Sequence, residues 1–326
     1  MVSKKVIVTD IVDKKGLEIL RREAEVVYLP ESQSSTLLNE VEQAQAILLR
    51  GPFQVNREVI EKGKNLLIIA KHGVGVDNID IAAATANRIV VTSTPTANSE
   101  SVVELIIGLM LSVCRNISVS DRLLRQGKHW KRENYTGIEL KAKVLGVIGM
   151  GKIGSELAHK CQAAFDMPVI CFDPYADKEK IEKLGYKLVE KLPELLCQSD
   201  IVALCIPLTK QTANLISWKE LALMKPTAIL INTSRGGIVD ENSLYSCLQQ
   251  KRIAGAGFDV FAKEPPPVDN PLLSLDNFVA TSHLGGLTKE AMIRMATDSA
   301  EEILRVFKGQ QPLYPINPEI YKTDIH

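Results

Sequence analysis

Short apolar runs alternate with longer, charged, helix-periodic stretches along the whole chain. In the N-terminal part the apolar runs fall at 5–9, 25–29, 46–49, 66–70 and 89–92, and each reads as a strand. Charged segments around 14–23, 35–44, 56–63 and 80–87 separate them and predict helices. Such spacing predicts βα units and a parallel sheet, because a parallel pair needs a crossover long enough to hold a helix. A long helix is expected next, from about Ser99 to Leu124, capped by Asn98 or Ser99. Val102, Val103, Ile106, Leu109, Met110 and Val113 give it a broad apolar face. The stretch 126–136, with Gly127 and Trp130, reads as an exposed connection. A second series follows, with strands expected at 144–148, 169–172, 201–206, 228–232, 255–259 and 278–281 and helices at 152–165, 177–184, 218–224 and 240–250. An amphipathic helix from about Thr288 to Phe307 closes the pattern. The tail behind it holds Pro312, Pro315 and Pro318 and cannot continue a helix.

Composition narrows this picture. A chain of 326 residues fits two domains of about 150 residues each. Lys and Arg number 39 and Asp and Glu number 39, so no net charge draws the chain to nucleic acid or an anionic membrane. A hydrophobic content of 45% excludes general disorder. The apolar run behind Lys4 and Lys5 is too short for a signal peptide, and Val102–Cys114 is interrupted by Glu104, Gly108 and Ser112. The six cysteines form no CxxC pair and the five histidines no HxxxH pair. Reduced thiols, a cytoplasmic protein and no metal site are the expectation.

Gly149-Met150-Gly151-Lys152-Ile153-Gly154 lies between an expected strand and an expected helix. In that setting a G-x-G-x-x-G turn lets backbone N–H groups and the helix N-terminus approach a pyrophosphate. A second strand ends in Asp173, nineteen residues beyond Gly154, where a carboxylate accepts from an adenosine ribose and repels a 2′-phosphate. NAD is therefore expected over NADP. Three further residues follow strand ends, where ligands of open parallel sheets bind. Arg235 could meet an anion with its planar fork. Glu264 and His283 could form a pair in which the carboxylate fixes the imidazole tautomer. Taken singly, each is as well read as an ordinary loop charge or cap.

Together these segments resemble the D-isomer-specific 2-hydroxyacid dehydrogenase family over essentially the whole chain. The resemblance rests on Lys71-His72-Gly73-Val74-Gly75-Val76-Asp77-Asn78, on 98–105, on 137–140, on the glycine turn, and on the Arg235, Glu264 and His283 segments. Within the family the chain is most similar to short-type D-3-phosphoglycerate dehydrogenases, which have no C-terminal serine-binding domain. The resemblance implies an α/β fold of two doubly wound parallel-sheet domains. A Rossmann NAD-binding domain, 100–290, is inserted into a flavodoxin-like substrate domain made of 1–99 and 291–326. The site would lie in a cleft between them, with hinges at the two crossings.

The resemblance also implies roles. His283 would be the acid/base, Glu264 its partner, and Arg235 the group that binds the substrate carboxylate and polarises the carbonyl. The Val74 and Gly75 N–H groups would hold that carboxylate. NAD would be bound by Gly149, Gly151, Lys152, Ile153, Gly154, Asp173, Thr233, Asp259, Gly285 and Gly286, with Asp259 accepting from the carboxamide. A homodimer through the NAD-binding domain would use 126–140 as an arm. Lys71-His72 and Val74 depart from the phosphoglycerate pattern, Arg-Ala and a hydroxyl residue. The expected distal group is an anion, not necessarily phosphate, that Arg50, Lys71 or Arg132 could meet. Candidate substrates are 3-phosphoglycerate and phosphohydroxypyruvate, hydroxypyruvate or glyoxylate, or another anionic acid such as sulfolactate. An NAD-sensing corepressor-like scaffold is the alternative of another class.

Overall fold

A computed structural model describes residues 4–29, 34–128 and 131–321. The chain divides into two compact units, Met1–Asn98 with Gly286–His326, and Ser99–Gly285.

The first unit holds a five-stranded parallel sheet: β1 (Lys4–Thr9), β2 (Ala24–Leu29), β3 (Ala46–Leu49), β4 (Ile68–Lys71) and β5 (Val90–Thr92), in the order β2-β1-β3-β4-β5. This is the flavodoxin-like order. Its strands are apolar throughout because both faces are covered. Ile7, Ile47, Leu49, Ile69 and Val91 point to one core, and Val6, Val8, Leu48, Ile68 and Ala70 to the other. The helix Lys289–Phe307 covers the second core with Ala296, Ala300 and Ile303. Gly16 lets it approach the helix Lys14–Arg21, since a Cβ at Gly16 would sit 2.6 Å from the Ala296 carbonyl oxygen.

Behind that helix the tail returns along β5. Thr92 pairs antiparallel with Pro315, and the Ile316 N–H donates to the Val91 carbonyl at 2.7 Å. The buried Glu302 carboxylate accepts from the Leu313 N–H at 2.9 Å and the Tyr314 N–H at 3.2 Å.

The second unit holds a seven-stranded parallel sheet: β6 (Leu145–Ile148), β7 (Val169–Phe172), β8 (Lys187–Leu188), β9 (Ile201–Leu204), β10 (Ile229–Asn232), β11 (Gly255–Phe258) and β12 (Phe278–Ala280). The order is β12-β11-β10-β9-β6-β7-β8, a Rossmann arrangement whose switch point lies between β6 and β9. Successive strand residues again alternate between two cores. Leu145, Val147, Ile201, Ala203, Ile229 and Ile231 face the side covered by the helix Ser99–Cys114. Val202, Leu204 and Leu230 face the other.

Two sequence expectations change. The helix expected over 99–124 is two helices, Ser99–Cys114 and Ile117–Arg125, bent by 65°. Asn116 adopts the left-handed conformation (φ +56°) and its side chain donates to the Tyr135 carbonyl at 3.1 Å. The Cys114 carbonyl accepts from Ile138 instead of continuing the helix. Strand β8 escaped the apolar pattern because it is only two residues long and begins with Lys187. Trp130, expected on the exposed connection, lies outside the described residues. Among the described residues no single helix is long and apolar enough to cross a membrane.

Candidate active site

The glycine turn and the Arg, Glu and His residues all belong to the second unit and lie past the carboxyl ends of its strands. Gly149 follows β6 at φ +93°, where a Cβ would meet the Cys205 carbonyl oxygen at 2.5 Å. A Cβ at Gly154 would lie 2.0 Å from the Gly149 oxygen, so this glycine seats the helix Lys152–Phe165 against the strand. Gly151 has open space where its Cβ would be, and as the helix N-cap it supplies no side chain to the first N–H groups. The turn therefore leaves donors and room at a helix N-terminus, as a pyrophosphate requires. Lys152 and Ile153 open that helix, with the exposed Lys152 ammonium 3.8 Å from Glu156.

Asp173 stands just past β7 and braces this turn. One carboxylate oxygen accepts from the Met150 N–H at 2.8 Å, the other from the Tyr175 N–H at 2.9 Å. A cavity of about 530 Å³ opens beside it, lined by Phe172, Pro174, Lys187, Val189 and Glu190 among others. These residues fit a dinucleotide. The turn would hold its pyrophosphate and Asp173 its ribose.

His283 follows β12, and its Nδ1 lies 2.7 Å from Glu264 Oε2. The other Glu264 oxygen accepts from the Phe261 N–H at 3.0 Å, which fixes the carboxylate. The Glu264 bond raises the His283 pKa above its ordinary 6.5, against burial and the Arg235 charge. Burial pushes Glu264 up, but the bonds from His283 and Phe261 and the Arg235 charge outweigh it, so its pKa lies below the ordinary 4.5. With Nδ1 turned to a carboxylate, Nε2 is the atom left to take and release a proton. The His283 side chain is half exposed.

Arg235 follows β10 and donates to the Ser234 carbonyl at 2.7 Å. Its own carbonyl accepts from Asn232 Nδ2 at 3.0 Å, and Asn232 Oδ1 accepts from the Ser234 N–H at 3.0 Å. Gly236 is glycine because a Cβ would sit 1.9 Å from the Phe261 carbonyl oxygen. This close approach joins the Arg235 loop to the segment that fixes Glu264. Thr233 is half-buried within the same turn.

Asp259, expected to accept from a carboxamide, is buried and braces the His283 loop. Its carboxylate accepts from the Thr281 hydroxyl (2.6 Å) and from the Leu284 and Gly285 N–H groups (2.7 and 2.8 Å). Its carbonyl accepts from the His283 N–H at 2.8 Å. His283 is thereby held in a left-handed conformation (φ +56°) that a non-glycine residue adopts only when its surroundings impose it. Sequence reasoning missed the bracing roles of Asn232 and Asp259. The available signal was a polar residue closing or following an apolar strand just before a loop with candidate chemistry.

The remaining residues, Arg132 of the second unit apart, belong to the first unit. Arg50 Nη1 donates to the Ile11 carbonyl and lies 3.4 Å from Asp10. Lys71 Nζ donates to Asn78 Oδ1 at 2.9 Å. Exposed Val74 ends the bend after β4 and half-buried Gly75 follows it, and Gly286 packs against Asn98. His72 is buried, with no hydrogen-bond partner for Nε2 among the described residues; burial, with the Arg50 charge, lowers its pKa to about 4. Arg132 lies on an exposed turn, Arg132–Tyr135.

A Rossmann unit with an open glycine turn, an aspartate just past its second strand and a carboxylate-paired histidine is the arrangement of a nucleotide-dependent oxidoreductase class. Residues 107–285 match the family described as D-isomer specific 2-hydroxyacid dehydrogenase, NAD binding domain. The chain belongs to this family, and NAD is the cofactor of the matched domain. It is 42% identical to a D-3-phosphoglycerate dehydrogenase of Methanocaldococcus jannaschii over 94% of this chain and 58% of that protein. It is 37% identical to a glyoxylate reductase of Thermofilum pendens over 99% of this chain and 97% of that one. The crystal structure of D-lactate dehydrogenase from Aquifex aeolicus, complexed with NAD and lactic acid, aligns with a TM-score of 0.82 at 28% identity, covering 93% of this chain and 96% of that one. The chain spans 54 to 60% of the length of the first D-3-phosphoglycerate dehydrogenases it matches.

Proposed function

We propose that the protein is an NAD-dependent oxidoreductase that interconverts a D-2-hydroxy acid and its 2-keto acid. The His283–Glu264 pair beside Arg235, on the same unit as the open glycine turn, carries this reading. When bound, NADH would supply the hydride for the carbonyl carbon and be oxidised to NAD⁺. His283 Nε2 gives its proton to the carbonyl oxygen, so the keto acid becomes the hydroxy acid. Glu264 keeps the imidazole protonated to higher pH and turns Nε2 toward the substrate. Arg235 pairs with the substrate carboxylate and draws electron density from the carbonyl. In the first unit, the bend after β4 is read as a carboxylate site through the Val74 and Gly75 N–H groups. Asp173 favours NAD over NADP through its charge.

Phosphohydroxypyruvate is the first substrate reading, in line with the several relatives named D-3-phosphoglycerate dehydrogenase. Hydroxypyruvate or glyoxylate is the second. It is favoured by the engagement of Arg50 and Lys71 with protein partners, and by the likeness to a glyoxylate reductase over 97% of that protein. The reading includes a cytoplasmic homodimer. Six unpaired cysteines suit a reducing compartment, and the exposed Ile117 and Leu124 on the helix Ile117–Arg125 offer an apolar seam.

The test is NADH oxidation with phosphohydroxypyruvate, hydroxypyruvate, glyoxylate, sulfopyruvate and 2-oxoglutarate. Turnover on one of them supports the reading and names the substrate. Tight NADH binding without turnover on any 2-keto acid favours a sensing scaffold.

A further inference from the structure

Strand β5 ends at Thr92, and two residues later the chain reaches Thr94, 1% exposed and followed by Pro95. Thr94 takes both polar groups of Gly73, the first residue of the bend after β4. Its Oγ1 accepts from the Gly73 N–H at 3.1 Å and donates to the Gly73 carbonyl at 3.2 Å. Its own N–H donates to that carbonyl at 2.9 Å. Gly73 sits at φ +129°, a region essentially closed to other residues, although a Cβ there would meet nothing within 4 Å. The glycine is thus required by conformation, and the conformation is held from across the sheet by one buried hydroxyl and one backbone N–H. Directly after it, the Val74 and Gly75 N–H groups donate to no partner among the described residues. Thr94 is braced in turn, since the Ser93 N–H donates to the Tyr314 carbonyl of the tail that Glu302 holds.

We infer that Thr94 is a positioning residue. By fixing the N–H and the carbonyl of Gly73, and so the peptide planes on both sides of it, Thr94 aims the Val74 and Gly75 N–H groups at the substrate carboxylate. The inference rests on the reading of that bend as a carboxylate site. Two backbone donors bind an anion well only when both are set beforehand, because ordering a loop on binding costs affinity. The hydroxyl is the part of this clamp that a substitution can remove, since the main-chain bond survives any side chain.

The experiment compares wild type with Thr94→Val, Thr94→Ala and Thr94→Ser. Steady-state reduction of the best 2-keto acid and calorimetric binding of oxalate to the NADH complex are measured, with thermal melts to establish folding. Thr94→Val keeps the shape and removes the hydroxyl; Thr94→Ser restores the hydroxyl. The expected result is a roughly tenfold rise in the keto-acid KM and in the oxalate Kd for Thr94→Val and Thr94→Ala. The expected kcat and NADH Kd stay within about twofold, and Thr94→Ser returns KM to within about threefold of wild type. An unchanged KM in Thr94→Val, or an equal loss in Thr94→Ser, overturns the inference. So does a loss of NADH affinity in step with KM. Should Thr94→Val not fold, Thr94→Ala and Thr94→Ser decide by the same criteria. If wild type turns over no 2-keto acid and binds no oxalate, the carboxylate reading itself fails and the inference falls with it. Wild-type turnover with an indifferent Thr94 overturns the inference alone.

Discussion

The two units present chemistry in opposite ways. The second unit displays side chains: Arg235, Glu264 and His283 stand beyond strand ends, and each is held by a neighbour's side-chain amide, backbone or carboxylate. The first unit displays backbone: the bend 73–75 offers N–H groups, and the side chains around it, Lys71 and Arg50, bond to the protein. Side chains that exchange protons belong to the step itself. Backbone donors of a rigid bend hold the substrate in its ground state and through the step alike. Damage to the second unit should therefore appear in turnover, and damage to the first in KM.

Removing the proton donor should have the largest effect. His283→Ala is expected to lower kcat by about 10²–10⁴-fold with the NADH Kd unchanged, measured by NADH oxidation and fluorescence titration. The next effect separates binding of the cofactor from chemistry. Asp173→Ser should raise the relative kcat/KM for NADPH over NADH by about tenfold or more, because a carboxylate that repels a 2′-phosphate is gone. Equal preference before and after would remove Asp173 from that role.

The pH profile sharpens the comparison further. Reduction needs protonated His283, and its pKa is raised, so the rate is full below that pKa and falls as pH rises through it, above 6.5. Glu264→Gln removes the group that raises it and leaves burial and the Arg235 charge, which lower it. The alkaline limb of kcat/KM for reduction should move to lower pH. A limb that stays in place would mean that Glu264 does not govern the His283 proton. Oxidation needs the unprotonated imidazole, so there the acid limb rises through the same pKa and should likewise move to lower pH.

The smallest effect on chemistry is expected in the first unit, at Glu302. Glu302→Ala leaves the Leu313 and Tyr314 N–H groups without their buried acceptor and should cost about 1–3 kcal/mol in denaturant unfolding. Turnover should be nearly unchanged, with any loss appearing in KM through Ser93 and Thr94.

Much of this was legible in the amino-acid order. Doubly buried parallel strands read as unbroken apolar runs, so 11 of the 12 strands among the described residues could be placed before their partners were known. The glycine turn was legible because its residues are neighbours in sequence. Arg235, Glu264 and His283 were legible as residues past strand ends, but their mutual geometry comes from the sheet order and the approach that Gly236 permits. What stayed hidden depends on partners far away in the chain. The helix break follows from Asn116 meeting the Tyr135 carbonyl, and Thr94 acquires its role only when β5 lies beside β4. Asp259 is expected from the sequence as a cofactor ligand, and it also braces the histidine loop, a role visible only once Thr281, Leu284 and Gly285 surround it.

The central claim is that His283, held by Glu264, delivers the proton in a 2-keto acid reduction. The most direct test is the rate of NADH oxidation by wild type and His283→Ala with saturating 2-keto acid, each first shown to bind NADH equally. A loss of at least about a hundredfold in the variant is the predicted result. Wild-type-like turnover in His283→Ala would contradict the account.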